Sequence, residues 1–249
     1  MAEAMPPSPT APPTNLLDGA ALFLDFDGTL VELASTPDGV VVDLQLVLLL
    51  DRLSKHLNGR LAIISGRPVA GLRDLLPISV TAVGSHGMEF GNVDGTIDIQ
   101  VRPEGLEATL LDMRQLAAAC PGVIVEDKPL GAALHYRQAP QAEEACTTLA
   151  TELAEKHCLH LQPGKLMIEV RAPGGDKGTA IERLMREPDM LGARPVFMGD
   201  DLTDEAGFAA ADKLGGAGIL IGPERSTRAR YRLAGVKHAR SWLDEATRD

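Results

Sequence analysis

An apolar run from Ala20 to Leu24 ends in Asp25-Phe26-Asp27-Gly28-Thr29, and this junction constrains the fold more than any other stretch of the chain. A short continuous apolar run of this kind reads as a strand buried on both faces, as in a parallel sheet covered by helices. Gly28 allows a sharp turn where the strand ends. Two carboxylates one residue apart at such a point repel each other unless a divalent cation or an electrophilic phosphorus is set against them. Taken alone, the pair also suits a solvated acidic turn. Which reading holds depends on what else reaches the same place.

Strand and helix patterns alternate along most of the sequence. Residues 1–14 (MAEAMPPSPTAPPT) are rich in proline and small residues and read as a disordered tail. Strands are expected at 21–25, 61–65 and 79–83, with helices at 43–57 and 68–75. In the first helix Leu46, Leu49, Leu50, Leu53 and Leu57 share one side. The alternation resumes with helices at 176–186 and 203–211 and strands at 195–199 and 218–222. This predicts an α/β fold with a three-layer, Rossmann-like core and a mostly parallel sheet. The middle differs. Helices at 104–119 and 140–157 flank strands that come in adjacent pairs over 123–137 and 159–171, which suits an inserted α+β cap on an antiparallel sheet. The division expected is a core of residues 15–90 and 173–249 and an insert of residues 91–172.

Composition narrows the function. The 249 residues carry a formal net charge of -11, which argues against a nucleic-acid or anionic-membrane partner. Aromatic residues at 3% leave little for stacking on bases. The three cysteines include no CxxC pair and make no disulfide framework; Cys120 and Cys146 continue apolar helix stripes. No apolar stretch is long enough to span a bilayer. The expectation is a cytoplasmic protein, monomeric, acting on a small molecule.

In an open parallel sheet, ligands bind at the carboxyl ends of the strands. The distinctive polar segments fall at that edge repeatedly. Asp25 and Asp27 follow the first strand, and Ser65-Gly66-Arg67-Pro68 follows the second and opens a helix. Gly84-Ser85-His86-Gly87 follows the third, Asp200-Asp201-Leu202-Thr203-Asp204 follows the strand at 195–199, and Lys177 lies at the start of another helix. Each has a plainer role by itself: Ser65 as a helix cap, Lys177 as a surface lysine, His86 as a structural histidine, Asp204 at the positive end of its helix. Their convergence on one edge favours a phosphate-and-metal site. Asp25, Asp200 and the Asp27 carbonyl are hard oxygen ligands suited to Mg²⁺, with Asp204 behind them. Lys177 and the Ser65 hydroxyl suit the oxygens of a transferring phosphoryl group. Asp25 is then the candidate nucleophile and Asp27 the candidate acid and base.

In this order, DFDGT from Asp25, Ser65 in IISGRP, Lys177 in GGDKG and GDDLTD from Gly199 resemble the four motifs of the haloacid-dehalogenase-like phosphohydrolases. The stretches GSHGMEF, VEDKPLGAALHYR and GKLMIEVRAPGGDKGTA are most similar to the trehalose-6-phosphate phosphatases within that superfamily. The resemblance implies Mg²⁺-dependent hydrolysis of a sugar phosphate through an aspartyl-phosphate, the final step of trehalose biosynthesis. It also implies that Glu126, Lys128 and Glu169 hydrogen-bond the glucose units and that Gly66, Arg67 and His86 line the cleft near the phosphate. A strand places Glu126 and Lys128 on one face independently of any family, although a cross-strand ion pair on an exposed sheet would do the same. Arg137 and Arg171 are weaker candidates for that face. Three other readings stay open: the same chemistry on another sugar phosphate, a phospho-accepting switch, and a sugar-phosphate sensor.

Overall fold

A computed structural model of the protein describes residues 10–34, 36, 39–77, 80–92 and 95–248. The elements in chain order are β1 (Ala20–Leu24), α1 (Leu44–His56), β2 (Leu61–Ile64), α2 (Val69–Leu75), β3 (Thr81–Gly84), β4 (Glu89–Gly91), β5 (Ile97–Ile99) and α3 (Leu106–Ala119). There follow β6 (Ile124–Lys128), β7 (Gly131–His135), α4 (Glu143–Lys156), β8 (His160–Gly164), β9 (Met167–Arg171) and α5 (Lys177–Leu184). The chain closes with β10 (Arg194–Gly199), α6 (Glu205–Lys213), β11 (Ala217–Ile221), β12 (Tyr231–Leu233) and α7 (Val236–Glu245).

An eight-stranded sheet runs in the order β12-β11-β10-β1-β2-β3-β4-β5. It is parallel from β12 to β3, and β4 and β5 are added antiparallel. The pleat explains the unbroken apolar runs, because successive side chains leave on opposite faces and both faces are covered. In β1, Ala20, Leu22 and Leu24 pack with Leu46, Leu50 and Leu53 of α1 and Ala239, Trp242 and Leu243 of α7. Ala21 and Phe23 pack on the other side with Ile181 of α5 and Phe208 of α6. Helix α1 begins where the Asp43 carboxylate accepts the Leu46 N–H at 2.7 Å, satisfying one of the free donors of its first turn.

A separate four-stranded antiparallel sheet has the order β6-β7-β9-β8. Ala132, Leu134, Ile168 and Val170 on one of its faces close a core with Leu110 and Met113 of α3 and Cys146 and Leu153 of α4. The other face looks toward the carboxyl edge of the large sheet. Met88, Leu130 and Ala172 form a small buried cluster where the two parts meet.

Three expectations change. Gly91 of β4 and Ile97–Ile99 of β5, assigned to the insert, belong to the large sheet, so the chain crosses to the small sheet only after Ile99. Ile97 and Ile99 alternate with Asp98 as in a strand, but the strand is only 3 residues long and its side chains are exposed, too weak a signal to set it apart from a loop. Strand β12 and helix α7 were also missed. In the tail, residues 1–9 lie outside the described residues, but Thr10 bridges to Tyr231 and the Trp242 indole N–H donates to the Pro12 carbonyl at 3.1 Å. Among the described residues, no helix is long and apolar enough to cross a membrane.

Candidate active site

Asp25 is the first residue beyond β1, and its N–H donates to the Met198 carbonyl of neighbouring β10, so the sheet itself places it. The next turn needs Gly28. Its φ is +85°, and a Cβ there would lie 2.2 Å from Asp200 Oδ2. The absent side chain lets the loop after β1 and the loop after β10 close on each other.

Lys177, the first residue of α5, reaches into that gap and donates to Asp25 Oδ1 at 2.7 Å and to Asp204 Oδ1 at 2.6 Å, all three side chains being buried. Burial opposes charge on this lysine, yet Asp204 and Asp25 outweigh it and hold its pKa well above the usual value. Asp204 Oδ2 accepts the N–H groups of Asp200 and Asp201 at 2.8 and 2.9 Å. Asp201 turns away to cap Thr203, accepting both its N–H and its hydroxyl. Of Asp25, Asp200, Asp201 and Asp204, only Asp200 has a carboxylate that makes no hydrogen bond among the described residues. Oxygens of Asp25, Asp200 and Asp204 lie within 4.8 Å of one another. Burial, with Asp204 and Asp201 nearby, pushes the Asp200 carboxyl up to about 7, while Lys177 and Lys165 oppose the rise. Burial likewise raises Asp25, with Lys177 opposing. One ammonium therefore faces three crowded carboxylates, a charge deficit that a divalent cation with oxygen preference fits.

Ser65 is buried at the end of β2 and accepts the Arg67 N–H at 3.1 Å, which leaves the hydroxyl proton free to donate. Arg67 makes a two-pronged contact with Asp27, Nε to Oδ2 at 2.6 Å and Nη2 to Oδ1 at 2.8 Å. Ser85, His86 and Gly87 all have positive φ, and buried Glu89 braces the turn by accepting from the Ser85 hydroxyl and the Val69 N–H. This turn sets the His86 ring beside Gly66, with Nε2 3.5 Å from Glu169 Oε2. Burial lowers the His86 pKa although Glu169 favours its charge.

The small sheet covers this edge with a polar face. Its register aligns Glu126, Ala133, Glu169 and Gln162 in one row and Lys128, Gly131 and Arg171 in the next. Strand β7 in the middle offers only glycine and alanine there, so side chains from β6 and β9 meet across it. A Cβ on Gly131 would lie 2.9 Å from Glu169 Oε1. Lys128 Nζ donates to Glu169 Oε2 at 2.6 Å, with the two side chains only 6% and 2% exposed, and reaches the Gly66 carbonyl at 3.4 Å. Burial works against ionisation of Glu169, but Lys128 and His86 prevail and bring its pKa down to about 2. The exposed ion pair that the sequence allowed is instead a buried pair facing the cleft.

One cleft gathers Asp25, Asp27, Ser65, Gly66, Arg67, His86, Glu126, Lys128, Glu169, Lys177 and Asp200. Asp204 lies behind its wall, with both oxygens already engaged. Arg171 spends its guanidinium on the carbonyls of Ala172 and Gly174, at the crossing between sheets. Arg137 lines the cleft and donates to the Ala34 carbonyl at 2.7 Å. His135 also lines it, 2.8 Å from Glu126 Oε2, and was missed. The alternation Gly131, Ala133, His135 along β7 was the signal that pointed to it. Lys165 is likewise a lining residue the sequence did not single out.

The trehalose-phosphatase family model matches residues 23–237. Trehalose-6-phosphate phosphatase of Escherichia coli K12 is 40% identical over 230 residues, covering 91% of this chain and 86% of that protein. A probable trehalose-phosphate phosphatase of Sinorhizobium fredii is 37% identical over 215 residues, covering 83% and 79%. The crystal structure of a trehalose-6-phosphate phosphatase related protein superposes with a TM-score of 0.76 at 26% identity, covering 90% of this chain and 95% of that one. The C-terminal domain of the C. albicans trehalose-6-phosphate phosphatase shares the fold, with a TM-score of 0.85 at 22% identity over 98% and 99% of the two chains. The chain belongs to the trehalose-phosphatase family of haloacid-dehalogenase-like phosphohydrolases and is a phosphoric monoester hydrolase.

Proposed function

We propose that this chain hydrolyses trehalose 6-phosphate to trehalose and phosphate with Mg²⁺, as the last step in making trehalose. The observation that carries the substrate is the facing of two half-sites across one cleft. Asp25, Ser65 and Lys177 suit a phosphoryl group, and Glu126, Lys128 and Glu169 opposite them suit the hydroxyls of a sugar. A pocket without Phe, Tyr or Trp among its described lining residues recognises a polar ligand through hydrogen bonds, and carboxylates accept from several hydroxyls at once.

Asp25, Asp200 and the Asp27 carbonyl would hold the Mg²⁺, with Asp204 fixing the amides beneath Asp200. The ion supplies positive charge that offsets the phosphoryl oxygens and the crowded carboxylates. Asp25 attacks phosphorus in line through a carboxylate oxygen, the bond to the sugar O6 breaks, and an aspartyl-phosphate forms. Lys177 and Ser65 donate to the equatorial oxygens throughout. Asp27 gives a proton to the departing O6, then takes one from the water that attacks the aspartyl-phosphate, releasing phosphate and restoring Asp25. Arg67 holds Asp27 through both carboxylate oxygens, so the proton of the acid form must point away from the guanidinium. His86 and Lys128 keep Glu169 ionised as an acceptor. The polar face of the small sheet covers the sugar and keeps bulk water from the phosphoryl group.

The test is phosphate release from trehalose 6-phosphate beside sucrose 6-phosphate, glucose 6-phosphate and mannosyl phosphates, with and without Mg²⁺. Asp25→Asn serves as the blank. Preference for trehalose 6-phosphate that disappears without metal and in the variant is the expected result. Even activity across all the esters would overturn the substrate assignment and leave the phosphatase.

A further inference from the structure

Residues 223–230 connect β11 to β12, and the sequence attached no role to them. In the structure they return to the carboxyl edge of the sheet beside the acidic loop of residues 200–204. Arg225 Nη2 donates to the Asp201 backbone carbonyl at 2.7 Å, and Nη1 pairs with a Glu205 carboxylate oxygen. The other Glu205 oxygen accepts the Arg228 N–H at 2.8 Å, so the connection and the first turn of α6 are clasped together. Among the described residues, Arg225 Nε is buried without a partner, and besides the two acceptors on residues 201–205 the guanidinium meets only the Ser226 carbonyl, at 3.1 Å.

The reason this grip matters lies in Asp200. Its carboxylate accepts no hydrogen bond among the described residues, so its backbone and its packing against Gly28 set its place. That backbone is held from inside by Asp204, through the amides of residues 200 and 201, and Lys177 ties Asp204 to α5. The opposite face of the same segment, the Asp201 carbonyl, is held by Arg225. A planar guanidinium can span a carbonyl and a carboxylate at once, which an ammonium cannot do in the same geometry.

We propose that Arg225 is a positioning residue for the metal site, holding the Asp200 carboxylate at the edge of the cleft by fixing the carbonyl of the next residue, Asp201, and with it the turn that Asp200 opens. The inference rests on Asp200 being a metal ligand. Outer groups that orient a ligand without touching the ion commonly govern affinity for it.

The experiment is Mg²⁺ binding to the full-length protein by calorimetry, with the Mg²⁺ dependence of phosphate release in parallel, for wild type, Arg225→Met and Arg225→Lys. Arg225→Met is expected to weaken Mg²⁺ about tenfold in both readouts. KM for the sugar phosphate at saturating Mg²⁺ should not change, and Arg225→Lys should fall between the two. Unchanged Mg²⁺ affinity in Arg225→Met overturns the proposal. So does an equal loss in KM, since that marks general loosening of the site. A wild type that neither binds nor needs Mg²⁺ removes the metal reading itself. Amide hydrogen exchange of residues 200–204 in metal-free protein then decides the positioning role: faster exchange in Arg225→Met supports it, and unchanged exchange overturns it.

Discussion

Asp25 and Asp200 owe their chemistry to burial that nothing within the chain fully compensates. The Asp200 carboxyl rises from 3.8 to about 7, so between those values the folded protein holds a proton that the unfolded chain has released. Stability from this group is complete at low pH and is lost as pH rises through about 7. Metal-free protein is therefore expected to melt lower at pH 7.5 than at pH 5, with Mg²⁺ restoring more at the higher pH. His86, its pKa lowered, works in the opposite direction near neutrality. Asp200→Asn isolates the effect, and thermal melts with no difference between variant and wild type would count against it. Gly28 is the second sensitive position. Gly28→Ala forces a side chain into a left-handed conformation at about 1–2 kcal/mol and drives its methyl against Asp200. A lower melting temperature and weaker Mg²⁺ binding are expected together; loss of stability alone would mean the Asp200 contact yields freely.

Among the elements, β7 has the least visible and most consequential design. Its alternation sends Ala132 and Leu134 into the core of the small sheet and leaves Gly131 and Ala133 on the cleft side. The missing bulk allows Lys128 of β6 to reach Glu169 of β9. Both are deeply buried, so breaking the pair leaves an uncompensated charge. Lys128→Met should destabilise the protein by about 3 kcal/mol in denaturant unfolding, and adding Glu169→Leu should recover most of that. A double variant as unstable as the single one would show that the pair is not where the loss arises. Helices α5 and α6 work differently. Each places a functional group at its first turn, Lys177 in α5 and Glu205 in α6, so the start of the helix and the site are positioned by the same backbone.

For the molecule as a whole, the two sheets divide the work. The carboxyl edge of the large sheet holds every group proposed to touch phosphorus, and the polar face of the small sheet holds those proposed to touch sugar. Glu169→Ala tests that division. Losing two charged hydrogen bonds worth about 1.5 kcal/mol each lowers kcat/KM for trehalose 6-phosphate about a hundredfold. Turnover of a small aryl phosphate, which leaves the sugar face empty, should stay at the wild-type level. Equal loss on both substrates would mean that Glu169 acts on the phosphate site, through His86 or Gly66.

The α/β alternation, the placement of Asp25, Ser65, Lys177 and Asp200 at one edge, and the inserted second sheet were legible from residue order alone. Apolar runs, turn residues and strand-end polar groups are local signals, and parallel topology brings strand ends together whatever the loops do. Strands β5 and β12 were not legible because each is only 3 residues long, too short for its alternation to stand out from a loop. The order within the acidic motif, Asp200 in front and Asp204 behind, was expected, but the contacts that impose it were not legible. Asp200, Asp201 and Asp204 are the same residue type within five positions, and only the folded loop frees the first, turns the second into a cap and seals the third against Lys177. The grip of Arg225 and the meeting of Lys128 with Glu169 across β7 likewise join residues far apart in the chain. Sequence spacing carries no measure of such contacts, which the packing of separate elements alone decides.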